Sequence, residues 1–210
     1  MLSNQITVAY TRFVKDQDTQ AVVRRLDAAV AASGLSMRQF AHALGTSPSR
    51  FSSYRTGKVA PSAALLLRAE RIAKALREAR RDSVPTAIDA LRSIRRAAAR
   101  GDDDWTYALA LQARDRLRDL LRHRESLAGA WEAQPPPSAG DRWRTLLAAF
   151  VNHEFIDAGQ PAPAWTTAPK LDTEWVLDTP RLSTKEIKRQ TPAWLAERNI
   201  FIAEKDLVTL

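Results

Sequence analysis

The stretch from Leu35 to Pro61, LSMRQFAHALGTSPSRFSSYRTGKVAP, constrains this chain more than any other, because it specifies two short helices and the turn between them. Ser36 precedes Met37-Arg38-Gln39-Phe40 as an N-cap, a position where a hydroxyl accepts from an otherwise unpaired helix N–H. Phe40, Ala41 and Leu44 then fall on one helical face. Gly45 ends that helix, Ser47 caps the next, and Pro48 takes its first position, where a missing N–H costs nothing. Phe51 and Tyr54 repeat at helical spacing on the inner side, and Gly57 closes the second helix.

Two helices joined through a short Gly-containing turn make a helix-turn-helix, whose second helix lies in the major groove of DNA in proteins that bind it. These residues, with Gly57-Lys58 leading to Pro61-Ser62, resemble the Cro/C1-type (XRE) helix-turn-helix family over residues 19 to 75. Val22, Val23, Leu26 and Val30 fit the helix that opens such a domain, and Leu65, Leu66, Ala69, Ile72 and Ala73 fit the one that closes it. The resemblance implies a five-helix-type domain over residues 1 to 82 that binds double-stranded operator DNA, as a homodimer on two half-sites. It implies base contacts from Pro48, Ser49, Arg50, Ser52 and Ser53, and phosphate contacts from Ser36, Arg38, Thr56 and Lys58. Two positions depart from the family pattern. Met37 stands where Gln is frequent and cannot donate a hydrogen bond; Arg55 stands where Glu is frequent, and either adds positive charge at the DNA face or pairs with Asp27 or Glu70.

Charge is unevenly placed along the chain. Residues 1 to 128 hold 23 Lys+Arg and 13 Asp+Glu, a net of +10, whereas residues 129 to 210 hold 9 and 11, a net of −2. A basic half joined to a near-neutral one fits DNA binding at one end and a different task at the other. The absence of cysteine excludes a disulfide framework, a thiolate nucleophile and any Cys-based zinc site. MLSNQITVAYTRFVKDQD has no basic region followed by an apolar run, and no segment approaches the roughly 20 apolar residues of a membrane span, so a cytoplasmic protein without a membrane partner is expected.

The remaining periodicity predicts a mainly α chain with little or no strand. Pro85 reads as a first-turn proline leading into Ala87, Ile88, Leu91, Ile94 and Ala98, and Asp102, Asp103 and Asp104 suit the start of the next helix, with Leu109, Ala113, Leu117, Leu120 and Leu121 as its apolar stripe. Residues 83 to 132 are therefore expected to form a helical connector or dimerisation region. The proline-rich AQPPPSAG over 133 to 140 reads as a domain boundary. Beyond it, residues 141 to 210 are expected to be a smaller, irregular partner-binding region: a helix capped by Asp141, an irregular Pro- and Trp-rich segment, two short helices, and the apolar run Ile200-Phe201-Ile202, a candidate strand.

All six tryptophans lie between Trp105 and Trp194. Trp offers large contact area to a partner, but also staples loop-rich folds; stapling is the better reading for Trp143 and Trp175, and both stay open for Trp165 and Trp194. Candidate partner contacts are Trp165, Trp194, Leu195, Ile200 and Phe201. The architecture and the tail TPAWLAERNIFIAEKDL are similar to antitoxins associated with nucleotidyltransferase-like toxins, which implies a repressor of its own operon that neutralises a cognate toxin through its C-terminal region. The alternative is a one-component repressor with a small-molecule pocket in that region. His153-Glu154-Phe155-Ile156-Asp157 departs from the zinc motif HExxH at its last position, and GxGxxG, GxxxxGK[ST] and GxSxG are absent. No catalytic residue, metal or cofactor is expected.

Overall fold

A computed structural model describes residues 2–137, 141–167, 170–178 and 182–208, with side chains described from residue 16 onward. The chain is mainly helical and divides into two compact units, Met1–Asp82 and Ser83–Leu210.

The first unit consists of α1 (Leu2–Ser33), α2 (Met37–Ala43), α3 (Pro48–Arg55) and α4 (Ala63–Arg81), four helices among the described residues where the family resemblance implied five. α1 packs along α4 and against α2 and α3, burying Leu26, Phe40, Phe51 and Ile72 completely. Phe40 and Phe51 meet edge to face, with centroids 5.8 Å apart, and this contact joins α2 to α3. Ser36 forms a capping box with Gln39, and the Ser47 side chain accepts from the Arg50 N–H. Between the helices Gly45 has φ 72°, a left-handed conformation natural to glycine. Gly34, at φ 69°, also leaves room for Arg80: a Cβ there would fall 1.4 Å from Nη1. Arg80 uses that space to donate to the Ser33 and Ala32 carbonyls at 3.0 and 3.1 Å, so α4 satisfies acceptors that the end of α1 leaves open.

The second unit contains α5 (Ala87–Ala98), α6 (Asp103–His123), α7 (Glu125–Ala128), α8 (Arg142–Asp157), α9 (Thr184–Gln190) and α10 (Ala193–Ala196). Strands β1 (Trp175–Val176) and β2 (Ile200–Phe201) pair in parallel, Trp175 opposite Ile200 and Val176 opposite Phe201. α8 is apolar almost all round, with Trp143, Leu146, Leu147, Ala148, Ala149, Phe150, Val151 and Phe155 buried, and such a helix needs cover on every side. α5, α6 and α10 supply that cover. The expected domain boundary at 133–140 is therefore not one: residues before and after it share a single core. For the same reason Leu91, Ile94, Leu117, Leu120 and Leu121, expected to offer a dimerisation stripe, are buried within the chain.

Local signals fare better than the division into regions. Asp102 caps α6 by accepting from the Trp105 N–H, and Asp141 caps α8 by accepting from the Arg144 N–H, both at 2.9 Å. Pro85 lies just outside its helix, where Thr86 forms a capping box with Asp89. The segment around Trp175, read as irregular, forms a short strand paired with β2, and Asn199, at the turn into β2, adopts φ 58°, a conformation that Asn tolerates. Asn199 then accepts from the Trp175 N–H at 2.8 Å and donates its side-chain amide to the Leu171 carbonyl at 2.6 Å.

Candidate nucleic-acid interface

The cap at Ser47, Pro48 at N1, and the inward anchors Phe51 and Tyr54 fix the orientation of α3 within the first unit. They leave Ser49 and Arg50 exposed and Pro48, Ser52 and Ser53 half-buried. Arg50 donates from Nε to the Tyr54 hydroxyl at 2.7 Å, which holds the guanidinium stem along α3. Its terminal nitrogens have no partner among the described residues.

The serine hydroxyls divide by use. Ser47 and Ser49 share a contact at 3.2 Å, and Ser53 donates to the Ser49 carbonyl at 3.1 Å. Thr56 donates to the Ser52 and Ser53 carbonyls, at 3.1 and 3.3 Å. The Ser52 hydroxyl, the Arg38 guanidinium and the Lys58 ammonium have no side-chain partner among the described residues, and Arg38 and Lys58 are exposed. Ser36 is exposed beside them at the start of α2. Arg55, of which two fates were open, pairs with Asp27 through a 2.5 Å contact from Nε; Glu70 is taken instead by Arg25, whose guanidinium holds it in a fork at 2.5 and 2.7 Å. Hydrogen bonding from Arg25 holds the Glu70 carboxyl below the ordinary carboxylate range.

The unit boundary divides the charge differently from a split near residue 128. Residues 1 to 82 hold 14 Lys+Arg and 6 Asp+Glu, a net of +8, and residues 83 to 210 hold 18 of each, a net of zero. The net formal charge of the chain thus resides in the first unit, and the second is neutral. Between Asp27 and Glu70 there is no acidic residue at all, and both of these flanking carboxylates are neutralised by arginines. Every charged side chain from α2 through the loop after α3 is therefore cationic.

In the second unit the structure separates the candidate partner contacts. Leu195 and Ile200 are fully buried and Trp165 is 5% exposed, so these three are core side chains and not contact residues. Burial has a specific cause at Trp165, whose Nε1 donates to the Trp131 carbonyl at 2.9 Å. Trp194 and Phe201 remain half-buried. Trp194 stacks on His153 with centroids 4.4 Å apart, and the Lys188 ammonium lies 5.0 Å over the Phe201 ring. Glu154 of the HExxD stretch is 2% exposed and receives a fork from Arg118 at 2.7 and 2.8 Å. That pair was not legible in the sequence: Arg118 and Glu154 are 36 residues apart, and only the packing of α6 on α8 brings them together. No group of His, Asp and Glu suited to a metal occurs among the described residues, and no described helix is long and apolar enough to cross a membrane.

No family model, curated protein or solved structure matches this chain.

Proposed function

We propose that this protein is a sequence-specific DNA-binding regulator that reads duplex DNA with α3. The observation that carries the reading is the acid-free span between Asp27 and Glu70, which presents α3 and its flanks as a surface of donors and cations. A polyanion is the partner that such a surface suits. Arg38 and Lys58, with the Ser36 hydroxyl, take phosphates and set the register, whereas Thr56 spends its hydroxyl proton on the Ser52 and Ser53 carbonyls; Ser49, Arg50, Ser52 and Ser53 face base edges. Arg50, held along α3 by Tyr54, is the group able to make a bidentate contact to guanine. Arg55 supports this surface from behind by pairing with Asp27.

The neutral second unit, with its own core, takes the other task. In keeping with the resemblance of the tail to antitoxins, that task is to hold a cognate toxin, and Trp194 and Phe201 are the contact candidates left on the surface. The test has two arms. Selection of bound sequences from a random duplex pool, with the wild type and with Arg50→Ala, should give a sharp motif for the first and a flattened one for the second, by about 1–3 kcal/mol at one position. Equal motifs would remove Arg50 from base reading. Co-purification with the product of an adjacent gene should be lost in Trp194→Asp with the fold retained; retention of the complex would move the partner site elsewhere.

A further inference from the structure

Arg50 and Tyr54 are four residues apart on α3 and so are neighbours on its surface. They differ in burial: the Tyr54 side chain belongs to the core, at 6% exposure, whereas Arg50 is exposed. The hydrogen bond from Arg50 Nε to the Tyr54 hydroxyl, at 2.7 Å, therefore ties a surface cation to a packed ring. A guanidinium has two kinds of edge for a bidentate contact, Nε with one Nη or Nη1 with Nη2. Tyr54 occupies the first kind, and the Nη1–Nη2 edge is left without a partner among the described residues. Arg38 and Lys58, exposed and with no side-chain partner among the described residues, have no such tether. A phosphate contact tolerates a mobile cation, but a bidentate contact to a base depends on direction.

We propose that Tyr54 is a positioning residue for base reading: without contacting a base itself, it sets the preference for guanine by holding Arg50 with the Nη1–Nη2 edge free for O6 and N7. This rests on the reading of α3 as the helix that enters the major groove. Ordering a free arginine on binding weakens association about threefold to tenfold, and a side chain ordered beforehand avoids that loss. The gain applies only where Arg50 makes a directional bond, so Tyr54 acts on specificity and leaves affinity for DNA in general unchanged.

The test uses the full chain as wild type, Tyr54→Phe, Arg50→Ala and the double variant. The duplexes are one selected from a random pool, the same duplex with adenine at the guanine whose preference disappears in Arg50→Ala, and a random duplex. Tyr54→Phe keeps the buried ring, and its thermal transition by circular dichroism shows that the fold is retained. It should weaken binding to the guanine duplex about threefold to tenfold, leave the adenine and random duplexes and the salt slope unmoved, and add nothing in the Arg50→Ala background. In the free protein labelled with nitrogen-15, the Arg50 Nε–H resonance, identified by its loss in Arg50→Ala, should shift in Tyr54→Phe. An unmoved resonance overturns the tether whatever DNA does. Undiminished guanine preference in Tyr54→Phe, an equal loss on all three duplexes, or the same loss with Arg50 already removed overturns the positioning role while leaving the DNA-binding reading intact. A wild type with no Arg50-dependent guanine preference overturns both.

Discussion

Removal of the Arg118 guanidinium should weaken the second unit as a whole, because it abandons a buried carboxylate at the contact between α6 and α8. Glu154 is 2% exposed and takes both of its contacts to Arg118, which is itself 37% exposed. The carboxylate in turn raises the Arg118 guanidinium above its ordinary value through their hydrogen bonds. Breaking a fully buried pair costs about 3–5 kcal/mol, and breaking an exposed one about 0–1 kcal/mol. With one partner buried and the other over a third exposed, Arg118→Ala should cost about 2–3 kcal/mol, between those limits. Tryptophan emission reads this unit selectively, since all six tryptophans lie within Ser83–Leu210 and none in Met1–Asp82. In urea the emission transition should stay single and move to lower midpoint by the corresponding free energy. The double variant Arg118→Leu with Glu154→Leu should recover most of the loss, because an apolar pair of similar volume needs no partner. An unchanged midpoint in Arg118→Ala, or a transition that splits in two, would refute the single core spanning residues 87 to 157.

Other outcomes follow from the same geometry. Tyr107 donates to the Asp206 carbonyl at 2.7 Å, and burial pushes its phenol above the ordinary value of 10.0. Its contribution is fully present below that value and is lost as pH rises beyond it, so alkaline unfolding of the second unit should be shallower in Tyr107→Phe; an identical pH profile would exclude Tyr107 as the cause. Phe51→Ala removes a fully buried ring from between α2 and α3 and should cost the first unit about 3–5 kcal/mol, seen as loss of helical circular dichroism with tryptophan emission unmoved. Leu195→Ala should lower the emission midpoint by about 2–5 kcal/mol because that side chain is core, which a pure surface contact would not do.

Elements with their own punctuation were legible in the sequence. Ser36, Ser47, Asp102 and Asp141 announced four helix starts, since a cap acts within three residues and needs no tertiary context. The exposed or half-buried residues of α3 followed from Phe51 and Tyr54 by periodicity alone. The division into regions was not legible, because prolines at 135 to 137 break a helix without saying whether the chain leaves its core. One signal was available: the run LLAAFV in α8 is apolar on all faces, and the sparse tail after it offers too little surface to cover it. Three of the expected partner contacts, Trp165, Leu195 and Ile200, failed for a related reason. Leu195 and Ile200 next to a chain end look unclaimed, yet parallel pairing of β2 with β1 turns Ile200 into the core, and strands of two residues leave no periodicity to read.

The central claim, that the first unit engages duplex DNA through the acid-free surface around α3, is tested most directly by salt dependence. Binding of the full chain to a labelled duplex is measured by anisotropy across a salt series, for the wild type and for Lys58→Ala. Neutralised phosphates give a slope of log affinity against log salt of about −0.9 each, so the wild type should fall steeply and the variant should lose about one contact's worth of slope. Absence of binding at low salt, or a shallow slope identical in Lys58→Ala, would contradict the account.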